Sequence, residues 1–404
     1  MSDNNKNEKR LSSAFSIPVM VAACLLSAAG ALFVNIMPIF LGSAAEQMSL
    51  NDQQIGLLGS AYLAGFAIVA AASPFWIIRF NWQRLAFCSF VAVISLLVIC
   101  AYSDQHSELL ALLIGIGMGG GILYTLGIAI IAQCKDPDRG FGFKMVAEIG
   151  SGIILMIVLP AYVMEQWGFQ GVIGGIALML TVFAFAVIWL PKQGLSQQLS
   201  DTTSSPEVPG GSKLAAWIGL ITFLVFFSGI NGVWAFIERV GNDIGMDSVA
   251  IGNVLSLSLF MGGIGALVAG ILGNRFGRML PLIVGHLAMA FAVFLLATRG
   301  DHLSYAIAVC LIMGFWPFVM AYQMGLVVSA DSTGRITVLI SAALASGGAI
   351  GPGIAGFLKT GESYLPVYMM SGVLTLLSLA AFLWLAVHLH RSRSLRQVVS
   401  FAAV

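Results

Sequence analysis

The chain consists of long apolar stretches that alternate with short polar or charged segments. A helix that crosses a bilayer needs about 20 mostly apolar residues, and stretches of that kind occur all along the sequence. The alternation predicts an all-α integral membrane protein with twelve transmembrane helices. Their approximate extents are 16–41, 54–78, 85–102, 108–133, 141–164, 169–190, 214–238, 249–272, 279–298, 303–329, 336–358 and 364–388.

Composition supports a membrane environment. The 404 residues are 59% hydrophobic and only 9% charged, whereas soluble proteins carry about 25% charged residues. The net charge of +1 argues against nucleic-acid binding, which needs a concentrated basic surface. The five cysteines are scattered through apolar stretches, so the sequence predicts neither a disulfide framework nor a metal site, and we expect no cofactor.

Lysines and arginines fall mainly in alternate loops. Cytoplasmic loops of membrane proteins are enriched in these residues. Placing the N-terminus inside puts all of the 19 lysines and arginines except Arg239, Arg299 and Lys359 on the cytoplasmic side. The sequence therefore predicts a multi-pass protein of the cell inner (plasma) membrane with both termini in the cytoplasm.

A polar segment divides the chain into halves. Residues 191–213 are rich in serine, proline and glycine, as flexible linkers are, and six of the predicted helices precede them while six follow. We therefore predict three parts: an N-terminal six-helix bundle over 1–190, a cytoplasmic linker over 191–213 and a C-terminal six-helix bundle over 214–404.

The two halves carry weak signs of an internal repeat. A gapless shift of 196 residues places Arg79 on Arg275 and Arg139 on Arg335. At this shift, most other identical residue pairs are no more frequent than the biased composition would produce by chance. Arginine, however, is rare in this chain. Its recurrence in equivalent cytoplasmic loops supports two pseudo-symmetric halves.

The loop between the eighth and ninth predicted helices has a distinctive pattern. From Gly270 it reads Gly-Ile-Leu-Gly-Asn-Arg-Phe-Gly-Arg, which resembles the signature G-x-L-x-D-R-x-G-R of the major facilitator superfamily (MFS). The resemblance implies two six-helix bundles, secondary transport by alternating access and a gating role for this loop; the alternative is that its arginines only anchor the topology. Asn274 replaces the acid of the signature, which weakens a charge-relay account of gating. The gating-loop candidates are Arg79, Gly270, Asn274, Arg275, Gly277 and Arg278.

The fourth predicted helix contains a glycine-rich run. Gly115, Gly117 and Gly120 formally satisfy the GxGxxG dinucleotide pattern, but that pattern requires a preceding strand and a helix that opens at the glycines. The four-residue spacing from Gly117 to Gly121 instead predicts close contact between helices. The resemblance adds that many proton-exchanging relatives carry an arginine in this helix, and its absence here lowers the expectation of proton antiport.

Ionisable residues inside a membrane are costly and are therefore candidates for a functional role. Glu148 lies about seven residues into the fifth predicted helix with Lys144 one turn before it, and Glu238 ends the seventh beside Arg239. Two interpretations stay open for each acid. Glu148 either neutralises Lys144 or carries a proton during transport, and Glu238 either forms an external surface pair or carries a proton.

Polar and aromatic residues midway along the first, fourth, seventh and tenth helices are the substrate-binding candidates, because the resemblance implies that these helices line a central cavity. They are uncharged, which favours a small, weakly polar or amphipathic organic solute over a strongly anionic one. The alternative is that the asparagines bond neighbouring helices and that the aromatic residues form an interfacial belt. The candidates are Asn35, Tyr124, Thr125, Asn231, Trp234, Trp316, Tyr322 and Gln323.

These observations predict a secondary active transporter and not an enzyme. We expect a monomer in the lipid bilayer that acts on a small-molecule substrate, with protons coupled through Glu148 or Glu238 or with no coupling at all. Within this class, multidrug-type efflux and nutrient uptake remain alternatives. Outside it, the alternatives are a non-transporting membrane receptor and a lipid-modifying membrane enzyme.

Overall fold

The computed structural model describes residues 17–77, 79–131, 137–192, 213–298, 300–331, 336, 339–359 and 363–402. These residues are almost entirely α-helical, and we number the long helices α1 to α12 in chain order. They are α1 Ile17–Met48, α2 Asp52–Ala71, α3 Trp82–Cys100, α4 His106–Ile131, α5 Pro137–Val158, α6 Met164–Ala184, α7 Lys213–Asp243, α8 Ser248–Leu272, α9 Met279–Thr298, α10 His302–Ala330, α11 Ile340–Leu358 and α12 Leu365–Ala402.

The helices correspond one to one with the predicted apolar runs, so the all-α membrane architecture is confirmed. Within the described residues, ten stretches are long and apolar enough to cross a membrane. One of these, Phe143–Trp189, contains most of α5 and all of α6, and the shorter apolar helix Ala342–Leu358 lies within α11. A π-helical turn over Leu159–Val163 follows α5, and Gly168 adopts a φ of 50° near the start of α6. Only glycine adopts this conformation readily, so Gly168 explains the break between the fifth and sixth runs.

The chain divides into two compact units. Unit 1 comprises residues 1–50 and 61–202, and unit 2 comprises residues 51–60 and 203–404. The first turns of α2 therefore belong to unit 2 and the remainder of that helix to unit 1. The boundary that we predicted at the 191–213 linker stays a prediction.

Some residues used in the sequence predictions lie outside the described residues. They include Arg299, Arg335 and the two segments 1–16 and 193–212, which contain the N-terminal charges and most of the predicted linker.

Short acidic side chains begin two of the helices in unit 2. Asp247 accepts a hydrogen bond of 2.8 Å from the backbone N–H of Ala250 at the start of α8. Asp301 does the same for Ser304 at 2.9 Å at the start of α10. Each carboxylate satisfies a backbone donor that has no partner inside its helix, which fixes where the helix begins.

The glycine-rich run of α4 packs directly against other helices of unit 1, as predicted. A Cβ atom at Gly117 would overlap the carbonyl oxygen of Tyr62 on α2, and a Cβ at Gly30 of α1 would overlap backbone atoms of Gly120 and Tyr124. The missing side chains let α1 and α4 approach closely enough to bring Tyr124 beside α1. This close approach positions the cluster described next.

Candidate functional site

A charge pair lies in the apolar interior of unit 1. The Lys144 Nζ atom is 2.7 Å from Glu148 Oε1, one turn further along α5. The two side chains are 8% and 13% exposed, so they are largely removed from water while an edge of the carboxylate stays accessible. A charge removed from water is costly unless it is paired, and each residue supplies the other's counter-charge.

Two neighbouring helices complete this cluster. From α1, the Ser27 hydroxyl donates a hydrogen bond to Glu148 Oε1, and the Asn35 amide donates one of 3.0 Å to the Glu148 backbone carbonyl. From α4, Tyr124 accepts a hydrogen bond of 3.3 Å from Lys144, whose Nζ also lies 4.7 Å from the centre of the Tyr124 ring. We call these five residues the Lys144–Glu148 site.

The site combines a carboxylate with an ammonium group that has a second partner. If Glu148 takes up a proton, its charge disappears and Lys144 keeps only neutral partners, which are the uncharged carboxyl group and the hydroxyl and ring of Tyr124. A cation–π contact and a neutral hydrogen bond compensate a buried ammonium only in part. The arrangement can therefore respond to protonation with a change of partner or of packing.

The structure brings three of the sequence candidates together here, namely Asn35, Tyr124 and Glu148. Sequence reasoning missed Ser27, although its spacing of eight residues from Asn35 on α1 was a usable signal because residues i and i+8 share one stripe of a helix. Thr125 follows Tyr124 and is half-buried. Its predicted contact with substrate stays a prediction.

Unit 2 holds two aromatic pairs, one between α7 and α10 and one within α10. The Trp316 ring lies 5.7 Å from the Phe227 ring, and the Tyr322 ring lies 5.3 Å from the Phe318 ring, between centroids. Trp316 Nε1 and the Tyr322 hydroxyl are buried atoms with no hydrogen-bond partner among the described residues. Two buried donors without acceptors are costly in a protein interior, and the predicted contact of Trp316 and Tyr322 with substrate stays a prediction.

Gln323 follows Tyr322 along the chain but takes part in a hydrogen-bond network with other residues. Its Nε2 atom donates to His286 Nε2 and to Ser378 Oγ, each at 3.1 Å. His286 Nδ1 is 2.7 Å from the Leu282 carbonyl oxygen. Because a carbonyl oxygen can only accept a hydrogen bond, Nδ1 carries the proton. In a neutral imidazole ring the other nitrogen, Nε2, is then the acceptor. The side chains of Gln323, His286 and Ser378 are completely buried and join α9, α10 and α12.

The remaining candidates on α7 are buried. Asn231 donates a hydrogen bond of 3.0 Å to the Phe227 carbonyl of its own helix, and Trp234 is 5% exposed. Glu238 is also buried at 4%, and it accepts a hydrogen bond of 2.6 Å from Asn242. Glu238 is therefore not at the surface of unit 2, and its proposed role in proton coupling stays a prediction.

The predicted gating loop is a tight turn between α8 and α9. Gly273 and Gly277 adopt φ values of 49° and 66°, which L-residues with side chains rarely adopt. The turn directs Arg278 toward α10, where its guanidinium donates a hydrogen bond of 2.6 Å to the Ser329 hydroxyl in the last turn. Arg275 is exposed, and so are Asn274, Arg79 and Gly270.

At the opposite ends of the unit 2 helices lies a cavity of about 260 Å³, lined by Asp243, Tyr305, Tyr364 and Tyr368 among others. The Lys359 Nζ atom lies 4.4 Å from the centre of the Tyr364 ring and 2.9 Å from Asp52 Oδ2, also within unit 2. Burial raises the pKa of the Tyr364 hydroxyl, so the residue is a neutral phenol.

The family model described as the Major Facilitator Superfamily matches residues 19–335 and 219–401. Together the two matches span nearly the whole chain and every one of its long helices. The chain belongs to the Major Facilitator Superfamily. It is therefore a membrane protein of this family with multiple membrane-spanning helices, and the resemblance that the Gly270–Arg278 loop suggested is confirmed.

Among curated relatives, this chain is similar to the uncharacterized MFS-type transporter YdeG of Bacillus subtilis (strain 168). The two are 25% identical over 191 residues, which is 45% of this chain and 43% of that protein. The chain thus matches less than half of the length of this relative.

Solved structures share the MFS fold over nearly the whole chain. The partially occluded, inward-open xylose transporter XylE from E. coli is 15% identical with a TM-score of 0.72, covering 92% of this chain and 97% of that one. The nucleoside transporter NupG is 12% identical with a TM-score of 0.69, covering 91% and 98%. A bacterial homologue of the human lysosomal transporter Spinster is 13% identical with a TM-score of 0.63, covering 93% and 96%. At these identities the likeness shows the fold alone.

Proposed function

We propose that this MFS transporter moves a small, weakly polar or amphipathic organic solute by alternating access, and that Glu148 couples the movement to protons. The observation that carries the proposal is the Lys144–Glu148 site, a titratable pair held in an apolar interior by α1 and α4. Ionisable residues at membrane depth mark ion and proton pathways more often than they serve stability.

Coupling through Glu148 follows from its partners. Its carboxylate is bound by Lys144 of its own helix and by Ser27 of α1. Protonation removes the charge that strengthens both contacts, which weakens the attachment of α5 to α1. A proton at this position therefore changes the relative stability of two packing arrangements of unit 1, which is what a coupled transporter requires.

The two aromatic pairs of unit 2 support the predicted class of solute. Trp316 and Tyr322 each carry an aromatic ring and a buried donor that has no acceptor within the described part of the chain. Rings recognise an apolar or aromatic skeleton, and the donors recognise one or two oxygen atoms on it. This combination suits a weakly polar or amphipathic molecule better than a highly hydroxylated one.

The cellular setting remains as predicted from the sequence. We propose that the protein acts as a monomer in the cell inner membrane with both termini in the cytoplasm. The distribution of lysines and arginines supports this orientation.

The test is a thermal-stability screen of the purified protein against a panel of metabolites and drug-like compounds at about pH 5.5 and about pH 8. A ligand that binds the folded state raises its unfolding temperature by mass action. We expect at least one compound whose stabilisation depends on pH in the wild-type protein and loses that dependence in Glu148→Gln. Glu165→Gln, which changes an exposed carboxylate in the same unit, is the matched control. A pH dependence that Glu148→Gln leaves unchanged would contradict proton coupling at this residue.

A further inference from the structure

The Lys144–Glu148 site places a cation among the residues predicted to contact substrate. The candidates on α1, α4, α7 and α10 are uncharged, but the Lys144 side chain of α5 extends to Tyr124 of α4 and is held there by both hydroxyl and ring. An ammonium group beside an aromatic ring can recognise a substrate that has an anionic group next to an apolar body.

The charge of the site depends on Glu148 alone. With Glu148 ionised, its charge cancels that of Lys144, and Ser27, Asn35 and neutral Tyr124 add nothing. The titratable groups that face Glu148 within the described residues are Lys144 from α5 and Tyr124 from α4, whereas α1 contributes the non-titrating Ser27 and Asn35. Protonation of Glu148 therefore leaves the site with one positive charge, on Lys144.

We propose that the substrate of this site is an organic monoanion, a carboxylate attached to an apolar or aromatic body, which binds Lys144 when Glu148 is protonated. This rests on the proton coupling proposed above. A solvent proton bonds to the Glu148 carboxylate, the 2.7 Å contact to Lys144 is given up, and the ammonium group pairs with the substrate carboxylate instead. The site is electrically neutral before and after, so one proton moves with one anion.

The geometry disfavours the other charge types. A neutral solute would leave Lys144 as an unpaired buried cation whenever Glu148 is protonated. An organic cation would have to displace Lys144 from Glu148, yet Lys144 is the more buried partner and is also held by Tyr124. An anion pairs with the Lys144 ammonium group and so compensates its charge, and the lysine does not have to move.

The test uses matched acids and amides as probes: benzoate and benzamide, phenylacetate and phenylacetamide, hexanoate and hexanamide. Their dissociation constants are measured on the purified protein at about pH 5.5 and about pH 8, where carboxylic acids are largely ionised. We expect at least one acid to bind roughly tenfold or more tightly than its amide at the lower pH, and to lose that advantage at the higher pH. No preference for any acid over its amide would overturn the proposal.

Variants test the monoanion proposal separately from the proton coupling on which it rests. In Glu148→Gln, the acid should bind equally at both pH values, because the lysine is permanently unpaired. The double variant Lys144→Gln with Glu148→Gln, which leaves no unpaired charge, should bind acid and amide alike, while Lys213→Gln at an exposed lysine should behave as wild type. Retained preference for the acid in the double variant would overturn the assignment of Lys144. A different outcome would be a neutral ligand whose binding depends on pH in the wild-type protein but not in Glu148→Gln. That result would support proton coupling at Glu148 and contradict only the proposal that the substrate is a monoanion.

Discussion

Ser27 of α1 donates a hydrogen bond to the carboxylate of Glu148 on α5. The two residues are 121 positions apart in the sequence, so this bond joins the first and fifth helices of unit 1 at the charge pair. A hydrogen bond to an ionised acceptor in a water-poor interior is stronger than one between neutral groups. The protonation state of Glu148 is therefore linked to the packing of α1 on α5.

Ser27→Ala removes this bond and should lower the free energy of unfolding by about 1.5–3 kcal/mol, the usual contribution of a hydrogen bond to a charged group. Unfolding of the purified protein in detergent measures the change. Ser43→Ala is the control, because Ser43 is equally buried on α1 but donates to the Phe40 carbonyl of its own helix at 3.0 Å. Equal losses of unfolding free energy in the two variants would show that the bond from Ser27 to Glu148 contributes no more than a hydrogen bond within a helix.

Lys144→Met should destabilise the protein by about 3–5 kcal/mol, because it leaves the buried Glu148 carboxylate without its counter-charge. Adding Glu148→Met removes that unpaired charge, so the double variant should be more stable than the sum of the two single changes implies. The coupling in this double-mutant cycle should be about 1–3 kcal/mol. Strict additivity would mean that the two charges do not stabilise each other.

The helices and the two charged residues of the Lys144–Glu148 site could be predicted from the sequence. Apolar runs of membrane-spanning length leave the backbone no alternative to helix, so each of α1 to α12 overlaps a predicted run. Several predicted bounds were wrong: α1 ends at Met48 and not at 41, α2 ends at Ala71 and not at 78, and α12 ends at Ala402 and not at 388. Glu148 and Lys144 stood out because charges at membrane depth are rare. Their pairing followed from their spacing of four residues.

The sequence did not fix how each helix is rotated about its axis. Gln323 shares α10 with Trp316, yet its side chain turns to His286 and Ser378, because α10 is apolar around its whole circumference and has no stripe that marks its inner face. Ser27 was missed because its residue type alone does not indicate which group it bonds. A serine in an apolar helix commonly bonds its own backbone, as Ser228 does with the Leu224 carbonyl.

Arg278→Lys should destabilise unit 2 although it keeps the positive charge. The guanidinium donates a hydrogen bond of 2.6 Å to Ser329 at the end of α10, and a lysine ammonium does not reproduce the reach and planar geometry of that donor. We expect a loss of about 1–2 kcal/mol in unfolding experiments. Arg275→Lys, in the same loop but exposed, should be neutral, and an equal loss there would assign the effect to the loop as a whole.

Cysteines introduced at Asp104 and Arg275 should be labelled from opposite sides of the membrane. Both positions are exposed at helix ends, and the distribution of positive charge places Asp104 outside and Arg275 in the cytoplasm. A membrane-impermeant thiol reagent on intact cells, in a cysteine-free background, should react at position 104 and not at position 275. Labelling of both positions from one side would contradict the predicted topology.

The central claim is that Glu148 couples solute movement to protons, and accumulation in sealed proteoliposomes tests it most directly. A labelled compound identified by the stability screen is added outside the proteoliposomes in two experiments. In the first a pH gradient is imposed across the membrane. In the second there is no gradient, and the unlabelled compound is present inside. We predict that the wild-type protein accumulates the compound with the gradient, whereas Glu148→Gln loses this accumulation but still exchanges labelled for unlabelled compound. Gradient-driven accumulation by Glu148→Gln at the wild-type level would contradict the account.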